Sequence, residues 1–96
     1  MSSIISLEFP YNGDQHYVLI SCKQLSEKIQ YRIKIMNVDL EKLINDCNTI
    51  EEDHGILVLD DCHGDKEKLE LKKSITAALA DYLHKDVITT YNEDNW

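Results

Sequence analysis

Apolar side chains recur at every second position near the N-terminus, a spacing that predicts β-strands. A first strand is expected over residues 4–9 and a second over residues 17–22. The dipeptide Asn12-Gly13 between them is a strong turn signal, and Pro10 precedes it. We therefore predict a β-hairpin whose connection runs over residues 10–15.

The next apolar run permits two interpretations. Ile29, Tyr31, Ile33 and Ile35 alternate with polar residues, which favours a strand over residues 29–36. Residues 25–47 also carry apolar side chains at helical spacing, which favours one long amphipathic helix. That helix would place Tyr31 and Ile35 on its polar face and an asparagine in its middle. We favour the strand, then Asn37 as N-cap of a short helix over residues 38–46.

The second half of the chain predicts a hairpin followed by a long helix. Residues 49–52 and 56–60 flank Asp53-His54-Gly55, where the glycine can adopt positive φ. A polar loop over residues 60–65 follows, with Asp65 as the candidate N-cap of a helix over residues 66–85. One apolar stripe marks this helix: Leu71, Ile75, Ala78, Leu79, Tyr82 and Leu83. The tail, residues 86–96, can add an edge strand near residues 87–91.

These elements define an α+β fold in the order β-β-β-α-β-β-α. Short connections favour a largely antiparallel sheet of about five strands, with one long C-terminal helix and one short helix packed on one face. The other face carries Glu8, Gln30, Arg32 and Lys34 and is expected to contact water. A chain of 96 residues forms a single small domain, residues 1–96, with residues 86–96 as a candidate flexible tail.

The charge of the chain constrains its partners. Eighteen acidic and ten basic residues give a formal net charge of −8, which argues against nucleic-acid and anionic-membrane binding. Residues 1–48 hold six acids and five bases (−1), and residues 49–96 hold twelve acids and five bases (−7). This asymmetry suggests a surface that attracts a basic protein partner, although solubilising charge explains it equally well.

The cysteines and the N-terminus point to the cytoplasm. Three cysteines, an odd number without tight spacing or a C-x-x-C pair, do not suggest a disulfide framework, so reduced thiols are expected. Cys22 and Cys47 resemble small core residues. The N-terminal residues lack a basic leader, and the longest aliphatic run, residues 56–59, is far too short to span a bilayer.

One loop concentrates groups that bind metals. Asp61, Cys62, His63 and Asp65 lie within six residues, and ligands from Cys47, His54 or Cys22 could join them. The spacing fails the EF-hand pattern, and adjacent Cys62 and His63 side chains usually diverge. A polar loop that ends in a helix cap explains the same residues. A metal-binding or small-molecule-binding regulatory domain is the alternative function, and no cofactor is expected.

No catalytic or phosphate-binding motif occurs in the sequence. A small enzyme that uses carboxylates or Cys62 is the least favoured function. The leading hypothesis is a non-catalytic protein-interaction module, comparable in size and charge with adaptor, inhibitor, immunity and antitoxin proteins. It would bind a protein, or a second copy in a homodimer, through a sheet edge or face. The candidate contact residues are Arg32, Lys34, Tyr11 and Trp96.

Overall fold

A computed structural model describes residues 3–90, which form six strands, two α-helices and two short 3-10 turns. The strands make one sheet in the sequential order β1 to β6. Its members are β1 (Ser3–Tyr11), β2 (Asp14–Gln24), β3 (Lys28–Ile35), β4 (Thr49–Asp53), β5 (Ile56–Leu59) and β6 (Val87–Thr89). The helices are α1 (Val38–Ile44) and α2 (Lys66–Leu83). The predicted α+β class, with one long and one short helix, is confirmed.

Two hairpins turn through residue pairs with positive φ. Asn12 and Gly13 (φ 52° and 83°) connect β1 to β2, and His54 and Gly55 (φ 54° and 81°) connect β4 to β5. Two left-handed residues in succession match the right-handed twist of the flanking strands. The predicted connection over residues 10–15 is therefore wrong, because pairing continues to Tyr11 opposite Asp14. Pro10 is tolerated there, since an edge strand does not need its missing N–H.

The strand interpretation of residues 29–36 is confirmed, and the long-helix alternative is excluded. β3 pairs antiparallel with β2 and β4, so Tyr31 lies opposite both Cys22 and Ile50. Asn37 ends the extended segment and accepts a hydrogen bond from the Leu40 N–H at 3.1 Å. Side-chain capping at this position is what allows the chain to change directly from strand to helix.

Helix α2 begins at the predicted cap. The Asp65 carboxylate accepts hydrogen bonds from the N–H groups of Glu67 and Lys68 at 3.0 and 3.1 Å. The helix ends at Leu83, because His84 adopts the left-handed conformation with φ 57°. The helix is therefore two residues shorter than the predicted range of 66–85, and Lys85, beyond its end, bonds to Glu52.

The sheet buries one face under both helices. In the part of the chain described, all neighbouring strands pair antiparallel except β5 and β6, which are parallel. Leu71, Ile75 and Leu79 of α2 are fully buried against side chains of the sheet. Tyr82 departs from the predicted stripe and is 55% exposed. The core joins the helices to Phe9, Val18, Ile20, Tyr31, Ile33, Ile35, Ile50 and Leu57.

Replacement of a central core residue tests this arrangement. Ile33→Ala removes a side chain that is 1% exposed, so we expect a loss of about 2–5 kcal/mol in unfolding free energy. Ile88→Ala is the matched control, because Ile88 is 50% exposed on the face away from the helices and should cost below about 0.5 kcal/mol. Urea denaturation measures both variants. Equal losses in the two would contradict the assignment of faces.

Candidate functional site

The face of the sheet opposite the helices carries a basic strand beside an acidic strand. Arg32 and Lys34 of β3 lie exposed on this face, as predicted. Lys28 on the same strand contacts Glu51 of β4 at 3.8 Å. Because this ion pair is half exposed on both sides, it adds little to stability. The face can therefore offer both signs of charge to a partner.

Tyr11 lies on the opposite side of the sheet. Its side chain lies on the same face of β1 as that of Phe9, toward the helices. Tyr11 is half-buried and lines a depression of about 550 Å³ with Glu67 and Glu70 of α2. Burial, and then the charges of these two glutamates, raise the pKa of its hydroxyl. The structure thus does not unite Tyr11 with Arg32 and Lys34 in one surface. Trp96, the remaining candidate contact residue, lies outside the described residues.

The first strand forms a long free edge of the sheet. Within residues 3–90, β1 pairs with β2 alone, and nine of its residues take part. Ile5 and Leu7 pack against the core but stay partly exposed. At the far end, the Ser74 hydroxyl of α2 donates a hydrogen bond to the Pro10 carbonyl. The carbonyl of Pro10 on this edge therefore has a hydrogen-bond donor, whereas the N-terminal part of the edge stays open to a further strand.

The loop over residues 60–65 does not bring the four proposed metal ligands together. Asp65 is used as the cap of α2, and the His63 side chain is exposed. Cys62 is buried and forms a disulfide with Cys47. The expectation of reduced thiols is therefore wrong for these two cysteines and holds for Cys22. A metal site on Asp61, Cys62, His63 and Asp65 stays a prediction.

The sulfur atoms of Cys47 and Cys62 belong to a compact polar cluster. An Asp60 oxygen lies 3.4 Å from the Cys47 sulfur and 3.7 Å from the Cys62 sulfur. The Lys72 ammonium lies 3.4 Å from the Cys47 sulfur and 3.0 Å from the same Asp60 oxygen. Cys47, Asp60 and Cys62 are close enough to share a metal ion, but the ammonium beside them opposes a second cation.

The backbone beside this cluster is strained. Cys62, His63 and Gly64 all have positive φ (50°, 60° and 79°). A left-handed conformation costs a residue other than glycine about 1–2 kcal/mol. The cost is offset where the surroundings fix the loop, here by the disulfide and by an N–H of Cys62 that bonds to Asp60. Such strain is concentrated at functional sites more often than elsewhere.

A second buried polar cluster fixes the end of α2 to the sheet. The Tyr31 hydroxyl donates to Glu52 at 2.6 Å, and the Lys85 ammonium donates to the other carboxylate oxygen at 2.5 Å. Burial raises the pKa of Tyr31, and its hydrogen bond to Glu52 raises it further. Burial opposes ionisation of Glu52, but the bonds from Lys85 and Tyr31 outweigh it, so the pKa of Glu52 is lowered. We interpret this cluster as structural.

Lys72 is a functional candidate that the sequence patterns do not single out. It precedes Ile75 by three residues and Leu79 by seven, so it lies on the buried stripe of α2. The available signal is a cation on an apolar stripe. Its partner Asp60 begins the predicted polar loop over residues 60–65, but no local signal indicates their contact, because it joins the end of β5 to the middle of a helix.

Comparison of the chain with models of known protein families, with curated proteins and with solved structures found no match. Neither helix in the described range has the length and apolar character needed to cross a bilayer.

The Lys85 contact predicts a pH-dependent contribution to stability. Because the folded-state pKa of Glu52 is lowered, the ionised carboxylate contributes to the unfolding free energy above its unfolded-state pKa of about 4.3. This contribution is lost as pH falls through the folded-state pKa. Lys85→Met should therefore lower the unfolding free energy by about 2 kcal/mol at pH 7 and by less below pH 4. Exposed Lys42→Met is the control. A pH-independent difference between wild type and Lys85→Met in urea denaturation would contradict this assignment.

The role of Asp65 as a cap makes a separate prediction. Asp65→Ala should lower the unfolding free energy by about 1 kcal/mol, because two N–H groups of the first turn lose their acceptor. Asp65→Asn retains an acceptor and should stay close to wild type. Denaturation in chelator-treated buffer measures both, and an equal loss in the two variants would indicate that the carboxylate charge matters instead.

Proposed function

We propose that this protein is a non-catalytic protein-interaction module that forms a homodimer through the free edge of β1. The observation that carries the proposal is the contrast between the two sheet edges. β1 contributes nine residues with a single charge, Glu8, whereas β6 contributes three residues. Long edges with little charge are templates for strand addition, and short edges are protected from it.

The side chains of β1 favour a second copy as the added strand. Ile5 and Leu7 are partly exposed on the helix side, where an antiparallel copy would cover them with its own Leu7 and Ile5. The other face of the strand presents Ile4, which is 67% exposed and lies beside Ser21 of β2. Pairing of two copies would extend the core across the junction and cover part of Ile4.

The register follows from Pro10 and Glu8. Pro10 has no N–H, and its carbonyl accepts from Ser74, so residues 3–9 form the segment able to pair. Ser6 is the middle of that segment and lies on the two-fold axis of an antiparallel pair. This register places Glu8 opposite Ile4 of the copy and avoids contact between two Glu8 carboxylates.

The acidic half of the chain supports a further, basic protein partner. Exposed acids occur at the start of α2, at Glu67 and Glu70, and near its end, at Asp81. Such a surface increases the association rate of a basic protein at low salt. We include a cytoplasmic location in the proposal, where adaptor, inhibitor and immunity-type modules of this size would meet their partners.

Charge at Ser6 provides the sharpest test of the homodimer. Ser6 is exposed, so Ser6→Lys should fold normally but place two lysines face to face across the axis. We expect at least a roughly tenfold weaker dimer by sedimentation velocity. Ser6→Glu should weaken the dimer equally, and a mixture of the two variants should restore a dimer of one copy of each. Ser26→Lys, in the exposed bend between β2 and β3, is the matched control.

The proposed interface is wrong if the wild-type protein is a monomer at about 100 μM, or if Ser6→Lys and Ser26→Lys associate equally. A dimer that survives Ser6→Lys would place the contact on another surface. The charged face around Arg32 and Lys34 is then the next candidate.

A further inference from the structure

The groups around Cys47 and Cys62 fit the reduced pair better than the disulfide. An Asp60 oxygen faces both sulfur atoms, at 3.4 and 3.7 Å, and the Lys72 ammonium lies 3.4 Å from the Cys47 sulfur. A disulfide sulfur has no proton to donate to a carboxylate and is a weak acceptor for an ammonium. In the oxidised pair, these contacts therefore contribute little.

Reduction would give the Asp60 carboxylate a donor and the Lys72 ammonium an acceptor on the sulfur atoms. A Cys62 thiol can donate its proton to the Asp60 oxygen, and a Cys47 thiolate can accept hydrogen bonds from Lys72. The distances in the oxidised pair place both sulfur atoms within reach of these interactions once the bond between them is broken, because hydrogen bonds to sulfur are longer than those to oxygen. The site thus provides one acceptor for a thiol and one cation for a thiolate. The Asp60 oxygen also lies 3.4 Å from the Cys47 sulfur, and the Lys72 ammonium, 3.0 Å from that oxygen, offsets the repulsion between the carboxylate and a Cys47 thiolate.

The burial of Lys72 points in the same direction. Its side chain is 1% exposed, whereas that of its partner Asp60 is 56% exposed. A buried ammonium is costly unless nearby charge compensates it. A thiolate on Cys47, itself buried, would supply a second negative charge where water cannot screen it. A disulfide that only crosslinks the chain would not require a buried cation beside it.

We propose that Cys47 and Cys62 form a thiol–disulfide exchange site that a dithiol reductant opens, with Cys47 as the residue that retains the negative charge. This proposal does not depend on the homodimer. It also agrees with a cytoplasmic location, since cytosolic disulfides are mostly transient and redox-active.

The exchange proceeds in two balanced steps. A thiolate of the reductant attacks Cys62, the bond between the two cysteines breaks, and Cys47 leaves as a thiolate beside Lys72. The second thiol of the reductant loses a proton and attacks the mixed disulfide, which forms the oxidised reductant. Cys62 leaves as a thiolate and takes up a proton. The reductant has then supplied two electrons and two protons, of which Cys62 retains one and solvent receives the other.

The strained loop explains how a reductant reaches buried sulfur. Cys62 is 1% exposed, but it starts the left-handed turn Cys62–Gly64, whose next residue, His63, is exposed. Short exposed turns open locally at a lower free-energy cost than core strands and helices. Opening of this turn would expose the Cys62 sulfur and leave Lys72 in the helix, beside Cys47.

Equilibration with dithiothreitol tests the proposal. In a Cys22→Ser background, which removes the free thiol, the reduced fraction is measured by mass spectrometry after alkylation. Lys72→Met should require a ratio of reduced to oxidised dithiothreitol at least about tenfold higher for half reduction. Lys68→Met removes the same charge one turn earlier on α2, where Lys68 pairs with Asp46, and should leave the ratio within about threefold.

Alkylation of the reduced protein provides the second measurement. At pH 7, iodoacetamide should modify Cys47 faster than Cys62, and Lys72→Met should abolish this preference. Lys72→Arg retains the cation and should retain the preference, so it keeps the test decisive if Lys72→Met does not fold.

Two results would overturn the proposal. The first is a disulfide that resists dithiothreitol until near-ultraviolet circular dichroism reports unfolding, which would make it a structural crosslink. The second is equal reduction of the Lys72→Met and Lys68→Met proteins, which would show that Lys72 does not act on the sulfur atoms.

Discussion

The fold depends on the packing of one long helix against one face of a single sheet. Leu71, Ile75 and Leu79 provide the fully buried side of α2, and each such side chain stabilises the folded state by about 1.5–3 kcal/mol. Three lysines on or just after this helix form ion pairs with other parts of the fold. Lys68 bonds to Asp46 after α1, and Lys72 bonds to Asp60 after β5. Lys85, two residues beyond the helix, bonds to Glu52 of β4. Apolar packing thus holds the helix to the sheet, and these ion pairs fix its position.

Local signals were sufficient to predict most of the elements from the sequence. Strict alternation at Ile29, Tyr31, Ile33 and Ile35 identified β3, because its inward side chains are all shielded by the helices or by neighbouring strands. The caps at Asn37 and Asp65 were predictable because each acts on backbone groups two or three residues away. Both hairpin turns contain a glycine preceded by a residue that tolerates positive φ.

The predictions that are wrong concern how elements are placed relative to one another, which local patterns do not show. Pro10 suggested the end of a strand, yet it lies at an edge, where its missing N–H is not needed. Tyr82 matches the helical stripe by its spacing but is 55% exposed. The contact of Cys47 with Cys62, and of Lys72 with both Cys47 and Asp60, joins residues 12 to 25 positions apart. Hydrophobic periodicity records which face of an element is buried, but not which elements meet there.

Coverage of the sheet by helices on one side has consequences for the edges. In the part of the chain that the structure describes, the sheet is open, and its two outer strands, β1 and β6, differ greatly in length. In the proposed dimer, two-fold pairing uses the long edge of both copies and leaves a three-residue β6 at each end. Those short edges offer few backbone groups for further strand addition. The difference in length between β1 and β6 that favours a dimer therefore also opposes the addition of further copies. Continued strand addition is the risk that any protein with an open sheet has to limit.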